Sequence, residues 1–327
     1  MAAVVGVRPV DPVLTNVGME YRQSLPWMSG ADCLFPWVRT PGVTGTYYIA
    51  DPLGNLKRED AKWSRSTGAS RIDQRFTSAA FRAQKYGFEI AVLDDDARDW
   101  LGGGADLRSR AVTQISDKLY LDREFLAEAV IDAIDPTAPA ATWNSATAQP
   151  RVDINTANAT IQKRIGRAGN TVGINASVWR SITGTQAPGT AGLLIIDAIK
   201  YVQQGLGTAI TPQLVAQYLN VDLVVPFTMI QANEAETSTV SASGLSVAGI
   251  DVWNQDEISV AYVDRNPGPQ TVSFGVSFGP SPMAGALATM DSYRDDKVRA
   301  DVVRGETEFD LKTTCSTALV NMGDMLT

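Results

Sequence analysis

From Ala105 to Ile134 the chain reads ADLRSRAVTQISDKLYLDREFLAEAVIDAI. Apolar residues recur there at Leu107, Ala111/Val112, Ile115, Leu119, Leu126, Ala129/Val130 and Ala133. This is the 3.6-residue period of an amphipathic helix. At roughly eight turns such a helix is about 45 Å long. Gly102, Gly103 and Gly104 precede it, and Pro136 and Pro139 stop it. Its other face alternates Asp, Lys, Arg and Glu and is expected to face water. In a chain of 327 residues, a rod of this length serves as a backbone along which the other elements are laid. It argues against a purely β architecture such as a carbohydrate-binding or adhesin-like protein.

The chain is long enough for one large domain or two smaller ones, with a substantial core. Hydrophobic residues make up 44% and charged residues 20%, the balance of an ordinary globular protein. The net charge of −8 speaks against a dedicated nucleic-acid binder, which needs a basic face. It is compatible with a wall that encloses nucleic acid without adhering to it. There is no histidine. Ser-His-Asp, Cys-His and H-E-x-x-H chemistries are therefore impossible. Cys33 and Cys315, the two cysteines, stand at opposite ends of the chain and read as inert thiols of a reducing compartment. The opening MAAVVGVRPVDP lacks the charged and apolar regions of a signal peptide. The uncharged stretch 271–290 holds Pro280 and Pro282 and several serines, so it reads as no membrane span.

Residues 1–30 read as an extended arm with one short helix, whose Leu25 and Trp27 need a surface to bury against. Short strands are expected around Leu34, Trp37, Val43 and Tyr47–Ile49. Residues 51–76 are polar, with six cations, Lys57, Arg58, Lys62, Arg65, Arg71 and Arg75, against four anions. Flanked by strand-like segments, this stretch resembles a projecting β-hairpin that docks on an acidic surface elsewhere. Asp94, Asp95 and Asp96 read as the acidic first turn of a helix rather than a calcium loop.

Beyond a Pro/Ala/Thr-rich linker the pattern becomes α/β. A helix starts near Asp153 or Asn155, either of which is a plausible N-cap. Then come TVGINASVWRSI as strand and short helix, TPQLVAQYLN as a helix with Pro212 in its first turn, and VDLVVPFTMIQ as a buried strand. IDVWNQDEISVAYVD reads as a hairpin-like strand pair. Between Lys200 and Arg294 the sole cation is Arg265, an acidic region that complements the basic 51–76 stretch. The C-terminal part is β-rich, with a turn expected at Arg304-Gly305 and a last strand in TALVNM.

GVSFG at 275–279 matches G-x-S-x-G, the turn that carries the nucleophile of many serine hydrolases. The alternation of Val272, Phe274, Val276 and Phe278 with Thr271, Ser273, Gly275 and Ser277 instead puts Ser277 on the polar face of a strand. Pro280 and Pro282 follow where a nucleophile elbow needs a helix, and no histidine exists to activate the serine. No phosphate loop or dinucleotide fingerprint occurs. No catalytic residue, cofactor or metal site is implied.

The order of elements resembles the major capsid protein of tailed double-stranded DNA phages. The residues that carry the likeness lie in WNSATAQPRVDINTANATIQKRIGRAGNTVGINASVWRSI. They are Trp143, Pro150, Asp153-Ile154, Ala157, Gly169-Asn170 and Val178-Trp179. DPVLTNVGMEYRQ near the start and DDKVRADVVRGETEFDLKTTCSTALV near the end extend it over nearly the whole chain. The resemblance implies an α+β phage major capsid fold, which encapsulins share. It would have an N-terminal arm (1–30), an extended β-hairpin loop (44–84) and a peripheral domain (31–43, 85–150 and 268–327) with a long spine helix at about 104–134. An α/β axial domain (151–267) would complete it.

It further implies a structural role: hexamers and pentamers of the chain tile an icosahedral shell around double-stranded DNA. Scaffolding, portal and decoration proteins would be partners, and no membrane would be involved. An encapsulin-like shell around protein cargo is the alternative. Trp27, Lys57, Arg58, Lys62, Arg65, Arg71 and Arg75 are the candidate subunit-interface residues. Residues 1–28 are expected to serve assembly more than folding. An Arg71→Glu chain is expected to fold but not to form shells; electron microscopy of the purified variant checks this, and normal shells would contradict the docking role.

Overall fold

A computed structural model describes residues 10–24, 30–49, 51–52, 54, 57–58, 77–100, 103–143, 147–183, 210–232, 249–253, 256–268, 271–280 and 288–326. The expected helix is α4, Gly103–Asp132, following α1 (Pro12–Ser24), α2 (Gly30–Leu34) and α3 (Asp94–Asp99). Its buried stripe differs from the expected one in the second half. It runs Ala111, Val112, Ile115, Ser116, Leu119, Tyr120, Arg123, Glu124, Ala127 and Ile131, an unbroken 3–4 spacing. Leu126 stays exposed. The expected stripe passed over Arg123 and Glu124 because charged residues read as solvent-facing, yet both are almost fully buried (0% and 1% exposed).

Each has a specific set of partners. The Arg123 guanidinium pairs with Asp32, donates from Nη2 to the Phe35 carbonyl at 3.2 Å and lies 4.8 Å from the Trp37 ring centroid. Glu124 accepts from the Ala31 amide at 3.1 Å and from Trp253 Nε1 at 2.8 Å. These residues sit between two hydrophobic cores. N-terminal to them, Ala111 to Tyr120 of α4 pack with Leu14, Val92, Met290 and Val303. C-terminal to them, Ala127 and Ile131 join a larger core around Trp143, Ile154, Ile174, Phe227 and Val260.

The first core lies under a five-stranded sheet. Its strands are β1 (Trp37–Arg39), β4 (Gln84–Leu93), β10 (Gly275–Gly279), β11 (Thr289–Asp295) and β12 (Ala300–Thr313). The 14-residue β12 is the hub, pairing antiparallel with β4, β10 and β11, while β1 adds parallel to β10. The turn expected at Arg304-Gly305 is absent: β12 runs straight through, and the reversal lies at 296–299. Gly305 is needed for another reason. A Cβ there would come within 2.4 Å of Ile115 Cγ2, so the missing side chain lets α4 press onto the strand. Leu34, expected in a strand, belongs to α2, and Gly275 of β10 makes room for the Phe35 ring that follows it.

The second core surrounds a four-stranded sheet in the order β13-β9-β5-β6. Its strands are β5 (Thr171–Asn175), β6 (Leu223–Phe227), β9 (Ile258–Ala261) and β13 (Leu319–Met322). β5 and β6 are parallel; the other pairs are antiparallel. The helices α5 (Pro150–Ile165), α6 (Ala176–Thr183) and α7 (Pro212–Leu219) pack on it. Two expectations change here. The 250–264 segment is not a hairpin: β8 (Gly249–Asp251) pairs with β7 (Ile230–Ala232), whereas β9 pairs with β5 and β13. The expected peripheral segment 268–327 also divides, because β13 hydrogen-bonds to β9 in the second sheet.

The residues that carried the resemblance have physical roles here. Trp143 Nε1 donates to Asp153 at 3.0 Å, so Asp153 is a buried tie rather than the N-cap, which is Gln149 with Pro150 following. Gly169 lies against Asn158, where a Cβ would meet Oδ1 at 2.6 Å. The Asn170 side chain bridges to Val263 through both its amide nitrogen (2.8 Å) and its oxygen (2.9 Å). Ile154 and Val178 are fully buried.

The described part of the N-terminal segment, residues 10–24, is anchored on its own subunit. Asp11 N donates to Met290 O at 2.9 Å, Met290 N donates to Thr15 Oγ1 at 3.2 Å, and Leu14 is buried against α4. Residues 10–24 therefore contribute to folding as well. The joint at α4 gives a sharper test. Arg123→Met removes the fully buried guanidinium that engages Asp32, the Phe35 carbonyl and the Trp37 ring, and should destabilise the subunit by about 3–5 kcal/mol. The double variant Arg123→Met/Asp32→Asn is expected to recover part of that loss in thermal denaturation.

Candidate functional site

The most exposed strand pair outside the two main sheets is built from β2 (Thr44–Ile49) and β3 (Thr77–Arg82). They form a separate two-stranded sheet, paired from Thr44↔Arg82 to Ile49↔Thr77. An isolated hairpin is marginal by itself; this one is fastened at its base. Phe81 stacks on Phe278 of β10 with centroids 4.7 Å apart, and Tyr47 lies 5.1 Å from the same ring. Val38 and Val276 complete that small cluster. Arg82 N donates to Asp310 Oδ2 of β12 at 2.9 Å. Toward the far end Tyr48 and Ile49 are exposed, as is Val43 just before β2. The sequence reading took these apolar residues only as strand formers.

Among the expected interface residues, Lys57 and Arg58 lie side by side, exposed, in the segment joining β2 to β3. Trp27, Lys62, Arg65, Arg71 and Arg75 fall outside the described residues.

Acidic surface is present for a basic segment to meet. The expected acidic first turn is α3, where Asp94, Asp95, Asp96 and Asp99 are all exposed. Asp94 pairs with Arg294 across to β11, and the hydrogen bond from that guanidinium holds the Asp94 carboxyl below its usual range. A cleft of about 460 Å³ opens between α3, α4 and β4, floored by Ile90, Val92 and Leu107. Trp100 on its rim is half-exposed, donates from Nε1 to Asp106 at 2.8 Å and stacks under Arg110 at 5.0 Å. No sequence pattern pointed to this cleft, because its wall comes from three separate elements.

The geometry supports no chemistry at GVSFG. Ser277 is fully buried in β10, all five residues of which are buried, so the expected polar face does not exist. The strand is covered on both sides, and Ser277 Oγ has no hydrogen-bond partner among the described residues. Burial pushes the Cys33 thiol up to about 12, leaving it protonated and unreactive. Burial also raises the Glu257 carboxyl, against a 2.7 Å hydrogen bond from Asn321 and with help from Asp132 and Asp324. Among the described residues no group of three or more potential ligands is placed to hold a metal ion, and no helix is long and apolar enough to cross a membrane.

No protein-family model matches the chain, and no curated protein matches it significantly. Solved structures do. A phage-related protein from Bordetella bronchiseptica superposes with a TM-score of 0.68, covering 97% of this chain and 98% of its own at 20% identity. The capsid structure of the cyanophage P-SCSP1u covers 92% of this chain and 89% of its own, with a TM-score of 0.52 and 11% identity. The chain has the phage capsid fold. A Microbacterium phage Oxtober96 chain adds a third match, at TM-score 0.50 and 11% identity over 90% of both chains. What these chains share with this one is fold, since their sequences have diverged to 20% identity or less.

The fastening of the hairpin by GVSFG yields a test. Phe278→Ala removes the ring that both Phe81 and Tyr47 pack on, a loss of about 3–5 kcal/mol for a buried phenylalanine. Hydrogen exchange of the β2 and β3 amides should accelerate far more than that of β5 and β9. Uniform acceleration across both sheets would show that Phe278 serves the whole subunit rather than the hairpin.

Proposed function

We propose that this chain is the major capsid protein of a tailed double-stranded DNA phage. Its copies associate as hexamers and pentamers and close into an icosahedral shell around the genome. The observation that carries this reading is the superposition on the Bordetella phage-related protein over nearly the whole of both chains. A hairpin fastened at its base and extended away from the two cores supports it, since such an element reaches surfaces that a compact subunit cannot.

In this reading residues 1–30 form the arm, 44–84 the extended loop and the sheet around β12 the peripheral domain. The sheet around β5 forms the axial domain, which turns toward the five- and six-fold axes. Lys57, Arg58, Lys62, Arg65, Arg71 and Arg75 bring positive charge to a neighbour's acidic surface, and the Asp-rimmed cleft beside Trp100 has the matching sign. Trp27 is an apolar anchor on an adjacent subunit. Scaffolding, portal and decoration proteins are the expected partners. The protein is made in the host cytoplasm and ends in the virion.

Negative-stain microscopy of the purified chain is the test. Uniform closed shells are the expected outcome, and a monodisperse monomer at high concentration would overturn the proposal. Nuclease-protected DNA in particles from infected cells is expected; particles holding packed protein instead would favour the encapsulin-like alternative.

A further inference from the structure

The helix α5 presents a face whose charge is opposite to that of the protein. Its exposed residues are Arg151, Val152, Asn155, Thr156, Ala159, Gln162, Lys163 and Arg164, and the exposed Arg167 follows its C-cap. Its one carboxylate, Asp153, is buried against Trp143. The adjoining α7 carries no charged residue and exposes Gln213 and Gln217. In a chain of net charge −8, α5 exposes three cations and Arg167 lies just beyond it, neither helix exposes an anion, and one exposed carboxylate, Asp222, follows α7. Arg151, Lys163 and Arg164 make no ion pair among the described residues. Arg167 is held in place, its Nη1 donating to the Tyr262 hydroxyl at 2.7 Å with the guanidinium 5.4 Å from that ring.

Helix stability alone does not account for this arrangement. Lys163 and Arg164 suit the negative C-terminal end of the helix dipole, but Arg151 sits in the first turn, where a cation is unfavourable. Along the axis Arg151 lies about 20 Å from Lys163 and Arg164 at 1.5 Å per residue, and about a third of a turn around the helix from them, so the dense part of the patch is Lys163, Arg164 and Arg167. Between the cations lie Asn, Thr and Gln, side chains that hydrogen-bond phosphate oxygens. The face has no exposed aromatic residue and one exposed large aliphatic one, Val152, whereas the centre of a protein interface is rich in aromatics. We infer that the α5 face, with Arg151, Lys163, Arg164 and Arg167, is a sequence-independent contact for the phosphate backbone of double-stranded DNA. The inference rests on the capsid reading, and it makes this face part of the inner wall. The wall is then not uniformly acidic: it carries a weak cationic track on an otherwise repelling surface.

The test uses the full-length unassembled subunit and a short labelled DNA duplex of mixed sequence, with binding followed by anisotropy across a salt series. Four phosphate contacts predict a log K against log salt slope of about −3.6. Lys163→Gln/Arg164→Gln/Arg167→Gln should weaken binding at low salt by at least about tenfold and flatten the slope by about 2.7. Lys163→Gln/Arg164→Gln, which keeps the Arg167–Tyr262 contact, should show most of the effect with an unchanged melting temperature. Arg98→Gln/Lys297→Gln/Arg299→Gln, an equal change of charge on the other sheet's surface, should leave affinity within about twofold if the track rather than net charge is responsible. Equal loss in that control would overturn the inference, as would a wild-type subunit that ignores the duplex. A triple variant that binds DNA normally but no longer forms shells would overturn it too, making the face a contact between copies. Wild-type shells without duplex binding would sink this inference and leave the capsid reading standing; absence of wild-type shells would count against that reading itself.

Discussion

Arg123 and Glu124 lie where the two cores of the subunit meet, and the arrangement of the other elements depends on what they hold. Arg123 reaches Asp32, the Phe35 carbonyl and the Trp37 ring; Glu124 reaches the Ala31 amide and Trp253. Two adjacent residues of one helix thus tie down α2, the start of β1 and the end of the β7–β8 unit. Burying ions costs several kcal/mol each unless partners are well placed. Such a joint adds little net stability compared with apolar packing, but it rejects alternative placements, each of which would strand a charge. In the proposed shell, where each copy would fit many identical neighbours, a single relation between the two sheets matters more than an extra kcal/mol.

The other constraint is steric. Gly305 lets α4 press on β12, Gly275 lets Phe35 press on β10, and the Phe278 ring is the seat of the projecting hairpin. GVSFG therefore contributes through its lack of a side chain at one position and its aromatic ring at another. Its serine is buried without a polar partner among the described residues. The β2–β3 hairpin is thus positioned by an interior strand of the first sheet.

The order of elements, the long helix, the α/β character of 151–227 and the final strand could be read from periodicity and punctuation. Errors arose where tertiary contacts overrode local rules. Arg123 and Glu124 were assigned to water because charge usually is. Gly305 was taken for a turn because glycine usually marks one, when the cause was a helix passing across the strand. Asp153 or Asn155 reads as a cap because each stands near a helix start, but the partner of Asp153 is Trp143. The Trp100 cleft and the α5 cationic face escaped notice because the first is assembled from separate segments and the second shows only once the single acid of α5 is known to be buried.

The sequence by itself determined that this chain lacks the histidine most hydrolytic sites use, that a rod of about 45 Å runs through its middle, and that a locally basic segment interrupts two strands. Those follow from composition and from periods of 3.6 and 2, which are properties of neighbours along the chain. Only the tertiary structure decided which faces are buried, that β13 returns to the second sheet beside β9, and that the N-terminal helix is held by its own subunit. These depend on partners far apart in the chain, such as Thr15 with Met290 and Glu124 with Trp253. No local pattern encodes such pairs, because burial and charge pairing are settled by what packs opposite, not by what comes next.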